Sequence, residues 1–150
     1  MFERYSENAR KAMSRANQEA QKLGHDHIGT EHILLGLIET KEGFAAEVLK
    51  NRNIDLSHAR QKVMKLVENH AKLDNQGQEV LLHRTLHAQT VINDAVKEAR
   101  ALKHNKIGTE HLLLGLLYEN EGTGAKVIQS FGLTLDDVRS EVLDLLKAAG

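Results

Sequence analysis

The string Ile28-Gly29-Thr30-Glu31-His32-Ile33-Leu34-Leu35-Gly36-Leu37-Ile38 returns as Ile107-Gly108-Thr109-Glu110-His111-Leu112-Leu113-Leu114-Gly115-Leu116-Leu117, an offset of 79 residues from Glu31 to Glu110. The same offset, without a gap, pairs Ala9 with Ala88, Glu19-Ala20 with Glu98-Ala99, His25 with His104, Glu42-Gly43 with Glu121-Gly122, and Arg60 with Arg139. A gapless repeat of this length means that one supersecondary unit is used twice, and that each copy finds part of its burial against the other. We assign residues 1–71 to a first repeat and 80–150 to a second. A polar linker, 72–79, joins them, within one domain of 150 residues.

Each copy reads as four helices. Ala9, Ala12, Met13, Ala16, Ala20 and Leu23 step by three and four, and Gly24 can stop that helix in a left-handed conformation. Thr30 is expected to N-cap the second helix, with Glu31 favoured by the dipole of its first turn. That helix is apolar nearly all round, which places it at the centre. Gly36 inside it lowers helix propensity by about 1 kcal/mol, and close approach of another helix is the expected compensation. A third helix runs from about Phe44 to Lys50, and Asp55 or Ser57 opens a fourth with Ala59, Val63, Leu66 and Val67 inward. In the second copy Thr134 and Asp137 are spaced as a capping-box-like start. Nothing alternates with period two, so the expectation is all-α, two pseudo-twofold-related four-helix repeats, about eight helices and no sheet.

Composition closes several routes. Aromatic residues make up 3%, so the core is built of Leu, Ile, Val and Ala. With no Cys there is no disulfide, thiolate zinc site or cysteine nucleophile. A net charge of −1 gives no drive toward nucleic acid. The longest apolar run, Ile33 to Ile38, is far short of the roughly 20 residues that cross a bilayer, and the N-terminus lacks an apolar signal core. The expectation is a cytoplasmic protein that meets no membrane.

Catalytic chemistry finds no foothold. Gly122-Thr123-Gly124-Ala125-Lys126-Val127 lacks the spacing and preceding strand of a phosphate-binding loop. His25, His27 and His32 cluster around Glu31, but the i, i+4 histidine spacing of a helical zinc site is missing. The second copy puts Lys106 where His27 stands. Glu31-His32 and Glu110-His111 are adjacent on a helix, hence about 100° apart, and do not converge on one substrate atom. The reading is therefore no catalytic residue, no metal and no cofactor. For Thr30-Glu31 and Thr109-Glu110 two readings stand: a cap with a dipole-matched acid, or a duplicated surface site. A helix N-terminus offers N–H groups to an anion while the carboxylate accepts from a guanidinium, which suits a zwitterionic ligand.

Through the duplicated Gly-Thr-Glu-His-(Ile/Leu)-Leu-Leu-Gly-Leu string, the Glu-Gly that follows it, and the opening Met1-Phe2-Glu3-Arg4-Tyr5, the chain resembles the Clp N-terminal repeat domain, with the closest likeness to ClpC-type AAA+ unfoldases. The likeness spans essentially the whole chain. It implies two four-helix repeats about a pseudo-twofold axis, and a non-catalytic domain that docks adaptor proteins and substrate polypeptides. The ATPase ring and, through it, ClpP would be its further partners, with ATP bound only by modules outside this chain. A stand-alone protein modulating a Clp complex in trans is the alternative. The resemblance further implies phosphoarginine recognition, one site per repeat, with Glu31 and Glu110 holding the guanidinium beside Thr30 and Thr109. Phe2, Arg4 and Tyr5 match the family opening as an exposed docking surface. Where an Arg often precedes the Ala at the start of each repeat, this chain has Asn8 and His87, so a cation that would face the phosphate is replaced in both.

Overall fold

A computed structural model describes residues 4–66 and 82–149. The proposed linker at 72–79, Phe2 and Val67 lie outside the described residues. The first half contributes α1 (Glu7–Lys22), β1 (His27–Ile28), α2 (Thr30–Glu39), α3 (Phe44–Asn51) and α4 (Leu56–Leu66). The second contributes β2 (His83–Arg84), α5 (Leu86–Ala101), α6 (Thr109–Tyr118), α7 (Thr123–Ser130) and α8 (Leu135–Ala149).

The two most apolar helices form the centre. Ile33, Leu34, Leu35 and Leu37 of α2, and Leu112, Leu113, Leu114 and Leu116 of α6, are all fully buried. They belong to one core that also takes in the alanine stripe of α1 and its counterpart on α5. The two helix-interior glycines are contact points. A Cβ on Gly36 would collide with the Ala12 carbonyl oxygen of α1, and one on Gly115 with the Val91 carbonyl oxygen of α5. The propensity that Gly forfeits is thus exchanged for backbone-to-backbone packing of α1 on α2 and of α5 on α6.

Helix ends follow local chemistry in most places. The Ser6 hydroxyl accepts from the Ala9 N–H and the Thr85 hydroxyl from the Ala88 N–H, each at 3.1 Å. Thr134 accepts from the Asp137 N–H at 3.1 Å, as its spacing predicts. Gly24, with φ +76°, ends α1. Asp55 rather than Ser57 precedes α4, its carbonyl accepting from the Ala59 N–H at 3.0 Å.

The sheet-free expectation needs one correction. β1 and β2 form a parallel two-residue ladder, His27 opposite His83 and Ile28 opposite Arg84. A matching bridge joins Tyr5 to Ile107. Two residues are too few to leave an alternation in sequence, and the pairing is entirely non-local. These contacts are reciprocal. The Ser6 N–H donates to the Ile107 carbonyl and the Thr85 N–H to the Ile28 carbonyl, both at 2.9 Å. The segment entering the first helix of each repeat is therefore tied to the segment entering the central helix of the other.

Candidate functional site

The Gly-Thr-Glu-His string forms the N-terminus of each central helix, and the structure reassigns its first two members. The N-caps are Gly29 and Gly108, in extended conformation, and Thr30 and Thr109 are already helical. Instead of capping their own helices, the threonines cap helices of the opposite repeat. The Gly124 N–H in the first turn of α7 donates to Thr30 Oγ1 at 2.8 Å, and the Ala45 N–H in the first turn of α3 donates to Thr109 Oγ1 at 3.4 Å. Sequence reading had the correct chemistry for threonine but the wrong helix, because a partner 94 residues away leaves no local mark. The fit is close on both sides. A Cβ at Gly122 would stand 2.6 Å from Thr30 Oγ1, and one at Gly43 would stand 2.8 Å from Thr109 Oγ1.

The histidine does the local capping. The Gly29 N–H donates to His32 Nδ1 at 2.8 Å. With Nδ1 accepting, the proton of neutral His32 sits on Nε2, which donates to His25 Nδ1 at 2.7 Å. His25 in turn keeps its proton on Nε2, which is buried with no partner among the described residues. The second repeat repeats the chain, with the Gly108 N–H donating to His111 Nδ1 at 2.8 Å and His111 facing His104 at 2.8 Å. Burial, then the charge of its histidine partner, pushes His32 down to about 3 and His111 down to about 4. Both rings are therefore neutral wherever the protein is folded near pH 7.

His25, Glu31 and His32 bring ligand-type atoms within 4.8 Å of one another, as do His104, Glu110 and His111. The wiring argues against metal use. An ion on His32 Nε2 would displace the ring's only proton while Nδ1 still accepts from Gly29, leaving an imidazolate, or else would break the cap.

The two glutamates share a motif but not an environment. Glu31 is 8% exposed, and burial raises its carboxyl pKa against the opposing pull of its own N–H. Glu110 is half-buried and lines an open cleft of about 450 Å³. That cleft is assembled across the repeats. Glu110, His104 and Lys106 come from the second, while Ser6, Asn8 and Phe44 come from the first. An adjoining cleft of about 330 Å³ shares His104 and Lys106 and adds Arg4 and Arg100. Tyr5, expected with Arg4 as part of an exposed docking surface, is half-buried against the core. Burial raises its hydroxyl pKa, with Arg84 opposing. Arg4 remains exposed. The structure brings Asn8 to Glu110 across the repeat boundary, while His87 pairs with Glu119 at 2.8 Å. That hydrogen bond, then the carboxylate's charge, raises the His87 pKa, so the position keeps some cationic character. Lys106 is the cleft residue that sequence reading registered only as a departure from His27; its place beside Glu110 depends on the loop before α6.

The comparisons with known proteins agree with this architecture. The family described as "Clp repeat (R) N-terminal domain" matches residues 4–88 and again 83–149. The chain is 45% identical over 148 residues to the "Negative regulator of genetic competence ClpC/MecB" of Bacillus subtilis, covering 97% of this chain and 17% of that protein. It is 44% identical over 146 residues to the "Chaperone protein ClpC2, chloroplastic" of Oryza sativa subsp. japonica, again covering 97% of this chain but 16% of that protein. Among solved structures, the N-terminal domain of ClpD from Arabidopsis thaliana superimposes with a TM-score of 0.78 at 25% identity, covering 97% of this chain and 99% of that one. The N-domain of ClpV from Vibrio cholerae shares the fold with a TM-score of 0.74 at 15% identity, covering 97% of this chain and 87% of that one. In repeat, fold and sequence alike, the chain belongs to the Clp repeat N-terminal domain family.

Proposed function

We propose that this chain is the substrate- and adaptor-receiving N-terminal domain of a cytoplasmic Clp ATP-dependent unfoldase feeding ClpP, and that its Gly-Thr-Glu-His motifs, foremost the one whose Glu110 opens onto a cleft, take phosphoarginine side chains. The observation that carries the ligand reading is the Glu110 cleft. There one half-buried carboxylate faces a helix N-terminus and Lys106, with Arg4 and Arg100 in the adjoining hollow. A guanidinium satisfies the carboxylate through paired hydrogen bonds, and a phosphoryl group satisfies the cations. The Arg missing at Asn8 is offset by basic side chains arriving from the loop before α6 and from the N-terminal segment.

Calorimetric titration of the chain with phosphoarginine tests this, with free arginine and inorganic phosphate as controls. Phosphoarginine alone should bind saturably, Glu110→Gln should weaken it at least about tenfold, and the Tm should move by less than about 2 °C. Equal binding of phosphate and phosphoarginine, or no binding at all, would overturn the ligand reading while leaving the docking role to be tested with adaptors.

A further inference from the structure

Behind the far end of α2 lies a group of charges unrelated to the cleft. Glu19 of α1 is fully buried, and Arg60 of α4 takes both its oxygens, Nε to Oε1 at 2.9 Å and Nη2 to Oε2 at 2.5 Å. The carboxyl of Glu39, the last residue of α2, lies within hydrogen-bonding reach of the same Glu19. Two carboxylates cannot hydrogen-bond to each other without a proton between them. The Oε2 atom of Glu39 is buried with no partner among the described residues. A bare anionic oxygen in that position would be costly, and a proton on the carboxyl removes the charge.

The second repeat shows what the position requires. The counterparts of Glu19, Glu39 and Arg60 are Glu98, Tyr118 and Arg139. Arg139 donates through Nε and Nη2 to the Tyr118 hydroxyl at 3.1 and 2.9 Å, with Glu98 acting on Arg139 as a nearby charge. An acid, an arginine and a hydroxyl therefore meet at the same corner of the second repeat. In the first repeat a carboxyl stands where the hydroxyl would be.

We propose that Glu39 is held protonated, its O–H donating to Glu19 and standing in for the Tyr118 hydroxyl, so that the first repeat alone carries a proton-dependent clasp joining α1, α2 and α4. The other groups around Glu39 set how tightly the proton is kept. Burial first, then the hydrogen bond and charge of Glu19, raise the Glu39 pKa, while Lys22 and Arg60 oppose. Arg15 of α1 is spent on the end of α2, donating to the Glu39 carbonyl at 3.0 Å and to Thr40 Oγ1 at 3.2 Å. Lys41, Lys50 of α3, and the Asp55–His58 pair at the start of α4 stand around the adjoining hollow. Burial also works to raise Glu19, but the hydrogen bonds and charge of Arg60 outweigh it and hold Glu19 low, so the shared proton belongs to Glu39.

The clasp has a place to act. Glu39 forms part of the wall of a hollow of about 700 Å³ whose floor is Ile38, Leu49, Ile54 and Leu56. When the proton leaves, two carboxylates face one bidentate arginine, and the end of α2 is pushed from α1 toward that hollow. A raised folded-state pKa contributes stability below the ordinary value of 4.5 and loses it as the pH rises through the folded value. The hollow should therefore loosen on the alkaline side.

The test compares the unaltered chain with Glu39→Gln across pH 4.5 to 8. The glutamine amide donates to Glu19 at every pH, so the Tm of the variant should match that of the unaltered chain at the acid end and exceed it increasingly as the pH rises, levelling off once the pair has lost its proton. Histidine titrations are common to both proteins and cancel. Carbon-detected NMR of the unaltered chain should show Glu39 titrating above the ordinary glutamate range and Glu19 below it. Parallel Tm curves, or a Glu39 carboxyl titrating at the ordinary value, would overturn the proposal. If Glu39→Gln does not fold, the NMR titration decides alone.

Discussion

The two repeats keep the same main-chain hydrogen bonds and diverge wherever a side chain meets water. Backbone ties are duplicated nearly to the tenth of an ångström. The Ser6 and Thr85 N–H bonds are both 2.9 Å, and the Gly29 and Gly108 N–H bonds to histidine are both 2.8 Å. Beyond that histidine chain, several side chains built on the frame are not duplicated. His25 is buried where His104 is exposed, Glu31 is enclosed where Glu110 opens onto a cleft, and Glu39 stands where Tyr118 does. Even the left-handed turns trade places. The first repeat uses Gly24 and Asn53, at φ +76° and +62°, where the second uses Lys103 and Gly132, at φ +61° and +82°. The common frame thus fixes where the helices begin, and each copy tunes its own surface.

The largest effect that would expose this difference is acid. A histidine whose folded pKa is depressed contributes stability above its unfolded value of 6.5 and loses it as the pH falls toward the folded value. With His32 near 3 and His111 near 4, lowering the pH from 7 to 5 should remove about 2 kcal/mol at each ring, and below pH 4 the loss continues only at His32. Imidazole NMR would then show His111 protonating first in the folded chain, while the larger total loss of stability falls on His32 in the first repeat. Either ring titrating near 6.5 would break the account of the capping chain.

Next in size are the exchanged caps. Thr30→Val should cost about 1.5 kcal/mol in chemical unfolding, because Gly124 loses a 2.8 Å acceptor in a buried place. Thr109→Val should cost nearer 0.5 kcal/mol, since its bond to Ala45 is 3.4 Å. Equal costs would mean that both threonines act through packing alone.

The smallest effect sharpens the comparison of turns. Lys103→Gly should stabilise by roughly 0.5–1 kcal/mol, the net of relieved left-handed strain and added unfolded-state freedom. Asn53→Gly should be close to neutral, because Asn tolerates that conformation. A destabilising Lys103→Gly would show that the lysine does more than occupy a turn.

What was legible in the sequence is what a residue does for its neighbours in the chain. Gly36 marked a close helix approach, Gly24 a helix stop and Thr134 a cap, and each is found so. The signals that failed are those whose partner is far away. Thr30 looks like the cap of its own helix because threonine before an apolar run usually is, yet Gly29 with His32 already fills that role. The two-residue ladder carries no periodicity at all, and Leu86, at 88% exposure, begins α5 without help from packing because Thr85 caps it. The glutamates of the motif were visible as a duplicated pair. Their unequal enclosure was not, since it depends on tertiary packing that leaves no mark in the motif itself.

The reciprocal ties described for Tyr5–Ile107, Ile28–Arg84, Thr30–Gly124 and Thr109–Ala45 have a consequence for assembly. All four run from one copy of the unit to the other, so a lone copy would expose two open strand edges and a helix start lacking its acceptor. Such a unit is self-complementary: the surface it offers is the surface it needs, which is the condition for a closed two-fold dimer. In this chain the second subunit is supplied in cis, held at an effective concentration on the order of millimolar or above. Cleavage within 72–79, the join assigned from sequence, would turn an intramolecular fold into a bimolecular one. Its melting temperature would then depend on protein concentration, as it does for any dimer.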